Sequence, residues 1–235
     1  VLLVVAGSGL VTGATLRLLE SLKGKDVTVL YIRPDLSLLS ENAVMQERVV
    51  FYVLQEYARS AAIERMCMVD NNKLDEILGH VSIVGYHDKL NELLVSTLHM
   101  VNVYNNTKSV IDTFSPPHEV SRLSTLGILD STTGEEKMFF DLDFSREKVY
   151  YYAINNERLE KDGELFKNIK EQVRERKSEN TKVSYGVFST SYEHDYGYCI
   201  YEEFRDIVLS FVDELQRLGR FAKFTLLKKE ENNEY

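Results

Sequence analysis

The chain has no tryptophan, and only two cysteines and three prolines in 235 residues. Cys67 and Cys199 lie far apart in apolar runs, so they read as buried free thiols in a reducing compartment rather than as a disulfide or a metal pair. No apolar run approaches the roughly 20 residues that a membrane-spanning helix needs. VLLVVAG at the start is too short for a signal peptide and follows no basic stretch. Basic clusters are missing as well. The formal net charge is −9, and Lys23, Lys25, Arg174, Arg176 and Lys177 are isolated or interleaved with acids, which argues against nucleic acid as a direct partner. His80, His118, His194 and Asp195 have no metal-ligand spacing, and Ser189 and Ser191 lack a G-x-S-x-G elbow, so neither a metal site nor a hydrolase triad is expected.

What is present is the composition of a folded α/β chain, 44% hydrophobic and 28% charged, long enough for one large or two small domains. Residues 1–6, VLLVVA, form an apolar run ended by glycine, the pattern of a strand buried on both faces. Leu16, Leu18, Leu19 and Leu22 follow at helical spacing and stop near Gly24. VTVLYI, residues 27–32, predicts a second buried strand halted by Pro34, so the first 33 residues read as a βαβ unit with parallel strands. A helix is expected from about Val44 to Ser60, a third strand at 66–69, and a long central helix carrying Leu90, Leu94, Leu98, Val101 and Tyr104. After Ser115-Pro116-Pro117 come aromatic-rich strands at 137–144 and 148–154, a charged amphipathic helix at about 162–177, and strands in VSYGVFST and YGYCIY. A last helix at about 202–218, a strand in FAKFTLL and a polar tail complete the chain. The chain begins without Met on a predicted strand, and further sequence is expected upstream.

The segment between the first strand and helix, Gly7-Ser8-Gly9-Leu10-Val11-Thr12-Gly13, is glycine-rich at a helix N-terminus. Backbone N–H groups there can approach an anion, and the helix dipole favours negative charge. It contains no Gly-Lys-Ser/Thr, and Thr12 stands where a dinucleotide fingerprint needs its third glycine. Residue types alone leave a phosphate cradle and a tight turn equally open.

A glycine-rich loop opening a helix, followed by strand, helix and a strand ending in Asp-Asn, resembles the tubulin/FtsZ superfamily, whose loop reads G-G-G-T-G-[ST]-G. Gly7, Gly9, Thr12 and Gly13 match it; Ser8, Leu10 and Val11 depart. The resemblance implies an α/β fold: a partial parallel-sheet nucleotide-binding domain (1–86), a central helix and loop (87–112), a second α/β domain (113–228) and a polar tail (229–235). It implies GTP or GDP as ligand, held by Gly7, Ser8, Gly9, Thr12 and Gly13, with Asn71 contacting guanine. Arg48 lies 23 positions before Asn71, as the corresponding arginine does in FtsZ proteins. His87 and Asn91, four apart on one helix face, take the places of a base-stacking aromatic and a base-bonding asparagine.

By the same resemblance, hydrolysis is expected at a junction between copies, where one copy inserts an N-x-D-x-x-D loop next to the other's GTP. Val110-Ile111-Asp112-Thr113-Phe114-Ser115 corresponds, so Asp112 and the nearby Glu119 are the catalytic candidates, with Mg2+ if hydrolysis is retained. Leu10 lacks the hydroxyl that the family places near the γ-phosphate, and Val11 brings a Cβ into the loop. The family's nucleotide domain also includes segments upstream of this loop. The expected partner is the chain itself, assembled head to tail in the cytoplasm, with an adaptor protein as a further partner; the divergence suits a phage- or plasmid-borne relative. Two alternatives stand beside this reading: a structural scaffold that keeps the fold without turnover, and a Rossmann-like enzyme using the GSG turn for a cofactor.

Overall fold

The computed structural model describes residues 1–9, 12–116 and 121–203. Nine strands form one sheet: β1 (Leu2–Ala6), β2 (Thr28–Arg33), β3 (Arg65–Asp70), β4 (Ile111–Asp112), β5 (Leu123–Leu129), β6 (Glu136–Met138), β7 (Glu147–Asn155), β8 (Lys182–Thr190) and β9 (Tyr196–Glu203). Their order is β1-β2-β3-β5-β9-β7-β8-β4, with β6 paired to β5. β1, β2, β3 and β5 are mutually parallel, and β7 runs parallel to β8. β9 is antiparallel to both β5 and β7. The β3–β5 pairing spans only Met66–Met68 against Leu123–Thr125, and it joins the two halves of the sheet.

Six helices connect the strands: α1 (Thr15–Ser21), α2 (Glu41–Arg59), α3 (Asn71–Leu78), α4 (Tyr86–Asn105), α5 (Asn156–Lys161) and α6 (Leu165–Glu175). Alternation along the strands sorts them into layers. Val29, Tyr31, Met66 and Met68 pack with Val50, Phe51 and Leu54 of α2. Leu30, Cys67 and Val69 point the other way and meet α3 and α4. In β7, Tyr151 and Ala153 share the α4 side, while Tyr150, Tyr152 and Ile154 meet Leu165, Ile169 and Val173 of α6. α4 therefore lies across both halves of one face, with Leu90, Leu94, Thr97, Val101 and Tyr104 inward at helical spacing.

Local signals explain the boundaries. Ser40 caps α2 through its hydroxyl, Asp70 caps α3, and Gly24 ends the α1 turn at φ +85. The differences from the sequence reading have physical causes. β1 is a strand, but it ends the sheet: Leu2 and Val4 are 53% and 57% exposed, and only Val5 is buried. Leu3 and Val5 pack into the α2 core, whereas Leu2 and Val4 share the other face, which stays open among the described residues. The strand expected at 137–144 stops at Met138; Phe139 then turns inward and exchanges backbone bonds with Leu126 and Asp70. The helix expected at 162–177 is α6, which begins at Leu165 after Asp162 has accepted N–H bonds from Glu164 and Leu165; the short α5 before it was not expected. Residues 202 and 203, expected to begin a helix, belong to β9. The remainder of that helix and the FAKFTLL strand lie outside the described residues. Both cysteines are free and buried.

Candidate functional site

The glycine loop leaves β1 at the carboxyl end of the parallel strands, where α/β proteins place ligands. Gly7 N–H still belongs to the sheet, donating to Ile32 O at 2.9 Å. The turn then tightens: Thr12 N–H donates to Gly9 O, and the Thr12 hydroxyl donates to Ala6 O at 2.5 Å. Thr12 is buried, so its proton closes the loop. A single 3-10 turn, Thr12–Ala14, leads into α1.

The glycines here serve different ends. A Cβ at Gly7 would sit 2.5 Å from the Tyr31 hydroxyl and 2.9 Å from both Glu47 Cγ and Pro34 Cδ. Gly7 is thus required by packing. At Gly9 and Gly13 the nearest atoms would be Thr12 Oγ1 at 3.4 Å and Gln46 Nε2 at 3.8 Å, ordinary contacts. Their missing Cβ atoms are not demanded by the described packing, which fits a surface that another group approaches closely. Gly7→Ala is expected to lower stability by about 1–3 kcal/mol through overpacking, seen as a lower urea midpoint, whereas Gly9→Ala should leave the midpoint nearly unchanged.

Beneath the loop lies a buried polar cluster that sequence reasoning missed. Tyr31 OH donates to Glu47 Oε1 at 2.7 Å, and Glu47 is 1% exposed. Arg33 Nε lies 3.5 Å from the same carboxylate oxygen, and Arg33 Nη1 lies 3.9 Å from Asp70 Oδ2. The guanidinium is clasped between Phe51 and Phe140, with ring centroids at 4.4 and 4.7 Å. Burial, then the Glu47 bond, push the Tyr31 hydroxyl far up, so it stays a donor. Burial also raises Asp70. A signal for Glu47 was available: residues 47, 50, 51, 54, 55 and 58 form one buried helical stripe.

The other candidates distribute as follows. Ser8 is half-buried in the loop, and Arg48 is exposed on α2, one residue beyond the buried Glu47. Asn71 is the first residue of α3, half-buried, directly after β3 and two strands from Gly7. His87 and Asn91 are exposed on the first turns of α4, with the His87 ring edge-on to Tyr86 at 5.3 Å. Tyr86 bonds to Asp75 of α3, which raises its pKa, and Asp35 adds to that; the start of α4 is thereby tied to this same end of the sheet. Asp112 is elsewhere. It sits in β4, paired with Gly186 of β8 at the opposite end of the strand order. Its carboxylate accepts from the Ser109 hydroxyl and, at 3.4 Å, from Phe114 N–H. It borders a cavity of about 340 Å3 with Asn105 and Ser115. Glu119, Leu10 and Val11 lie outside the described residues.

No protein-family model matches the sequence, and no curated protein matches it either. Solved structures do. GDP-form protofilaments of Bacillus thuringiensis serovar israelensis TubZ align with a TM-score of 0.64 at 17% identity, over 93% of this chain and 68% of that one. A CetZ from Methanosaeta thermophila gives 0.58 at 13% identity, over 93% of this chain and 64% of that one. An FtsZ mutant from M. jannaschii gives 0.60 at 12%, over 86% and 64% respectively. This chain spans about two thirds of the length of those proteins. By superposition on TubZ, FtsZ and CetZ, the chain has the tubulin/FtsZ fold.

Proposed function

We propose that the chain is a guanine-nucleotide-dependent assembling subunit: it binds GTP at the glycine loop and associates head to tail with further copies. Asn71, His87 and Asn91 would meet the base, and the loop from Gly7 to Gly13 the phosphates. Asp112 of the adjoining copy would orient the attacking water. One observation carries this reading. The glycine loop and Asp112 stand at opposite ends of one sheet, seven strand steps apart, which is about 34 Å at the usual strand spacing. Within one copy they cannot act together, whereas two copies stacked end to end can bring them into one site. The solved relatives include GDP-form and GTPγS-form TubZ protofilaments and a two-stranded TubZ-Bt filament, which supports both the ligand and the self-association. The unclashed glycines at 9 and 13 fit a phosphate approach.

The test is a titration with a fluorescent GTP analogue followed in parallel by light scattering and phosphate release. Binding with rising scattering is expected. Asp112→Ala should keep nucleotide binding and lower phosphate release by about 10²-fold, the scale of a lost water-orienting carboxylate. A second reading has its own observation: the Thr12 hydroxyl is spent on Ala6 O rather than held free for a ligand. A scaffold without turnover would scatter without releasing phosphate, and Asp112→Ala would then change nothing.

A further inference from the structure

Across the sheet from the glycine loop, a cleft of about 1380 Å3 opens between the middle of α4, the β5–β6 turn, α5 and the β8–β9 turn. Its volume exceeds the roughly 300–1,000 Å3 of small-molecule sites. The floor is apolar, built from Leu93, Ile128, Leu129 and Tyr198, and the rim is charged. Every lining cation already has a partner. Lys161 pairs with Glu157 at 2.9 Å, Lys137 lies 3.8 Å from Glu135, and Arg158 pairs with Asp162 at 3.3 Å and with Asp195. Two lining carboxylates, Asp130 and Glu193, have no cation among the described residues. The backbone N–H bonds from Thr133 and Thr132 hold Asp130 below its usual pKa, so it stays ionised. Two nearly enclosed hydroxyls also line the cleft: Thr97, 1% exposed, and Ser131, 8% exposed.

We propose that this cleft docks a partner's peptide segment that carries lysine or arginine beside apolar side chains. The apolar side chains would rest on Ile128, Leu129 and Tyr198. The cations would meet Asp130 and Glu193, and the hydroxyls of Thr97 and Ser131 would take up peptide N–H or C=O groups. Charge selects the occupant. With Asp130 and Glu193 uncompensated and the three lining cations already paired, the rim draws a basic segment and repels an acidic one.

The test is fluorescence anisotropy of the full chain with a labelled peptide of alternating lysine and leucine, beside its glutamate–leucine counterpart. Glu193→Lys and Ser96→Arg alter exposed lining positions and should leave the melting curve unchanged. The wild-type chain is expected to bind the basic peptide and not the acidic one, and to bind it more weakly as salt rises. Each variant should weaken binding roughly tenfold or more. Equal binding of both peptides, no binding, or binding indifferent to both variants would overturn the proposal. So would a change in sedimentation of either variant without peptide, which would make the cleft a contact between copies.

Discussion

Glu47→Ala is expected to destabilise the chain by about 3–5 kcal/mol, a large share of the roughly 5–15 kcal/mol by which domains are ordinarily stable. The carboxylate is the acceptor for Tyr31 OH at 2.7 Å and the near counter-ion of Arg33 at 3.5 Å. Truncation strands the hydroxyl and leaves the guanidinium with Asp70, 3.9 Å away, as its counter-ion. Tyr31 is fully buried, and the Arg33 guanidinium is held in place between two aromatic rings; neither can swing out to water without unpacking Phe51 or Phe140. A half-buried guanidinium deprived of its nearer counter-ion and an unmade hydroxyl bond therefore add to the lost packing. Glu47→Gln is the discriminating variant. It preserves an acceptor for Tyr31 and the side-chain volume while removing the charge, so it should lose less than the alanine form. Urea midpoints for the two variants measure the difference, and equal midpoints would show that the charge, which both variants lose, outweighs packing and the hydroxyl bond here. The glycine loop feels the same change, because Glu47 Cγ and Tyr31 OH crowd the position a Gly7 side chain would take. A loop that binds phosphate should then bind nucleotide more weakly in Glu47→Ala, even at temperatures where the chain remains folded.

The parts of this architecture that the sequence made legible are those where one local rule decides. Continuous apolar runs marked β1, β2 and β3, and the spacing of Leu90, Leu94 and Val101 marked α4 and its inward face. Rules that depend on a neighbour were less informative. The run in β1 looks like an interior strand, yet one of its faces is open among the described residues and Leu2 and Val4 are exposed. β5, LSTLGIL, is nearly all buried and central, but serine, threonine and glycine dilute its strand signal. Gly127 in it is required by contact: a Cβ would meet Met138 Sδ at 2.6 Å. α3 has eight residues and follows the strand without a break, so its periodicity is too brief to register. The candidate site divides the same way. The loop, Asn71 and the start of α4 could be named as candidates because motif and order single them out. The buried charges beneath the loop were not, since a glutamate on an apolar stripe is ordinarily read as an interruption.

A second buried carboxylate leads to an expected dependence on pH. Glu202, on β9, is 3% exposed and pairs with Arg65 of β3. It stands opposite Glu147 of β7 in the strand register, and Glu147 stands opposite Lys182 of β8, 3.6 Å away as an ion pair. This row of charges crosses the sheet at the end opposite the glycine loop and bridges its two halves. Burial pushes Glu202 up from 4.5 to about 7; Arg65 opposes the rise, and the neighbouring Glu147 carboxyl adds to it. The folded chain therefore holds a proton that the unfolded chain has released between those two values. The resulting stabilisation is complete below about pH 4.5 and is lost as pH rises through 7. At 1.36 kcal/mol per pH unit, it amounts to about 3 kcal/mol across the window.

Glu202→Gln fixes the group in its protonated form. At pH 8 it should raise stability toward the wild-type value at pH 5, and it should flatten the slope of stability against pH between 5 and 7. Glu202→Ala should not do so, because Arg65 would lose its acceptor and a cavity would open where β3, β5 and β9 meet. Chemical denaturation at pH 5, 6, 7 and 8 separates the cases. A wild-type curve flat over that range, or a glutamine variant that tracks it in parallel, would mean that Arg65 holds Glu202 ionised in the folded chain. With the expected slope instead, the junction between the two halves of the sheet would loosen as pH rises. Because the glycine loop and Asp112 lie on different halves, assembly measured by light scattering should then favour the acid side of neutrality in the wild type and lose that preference in Glu202→Gln.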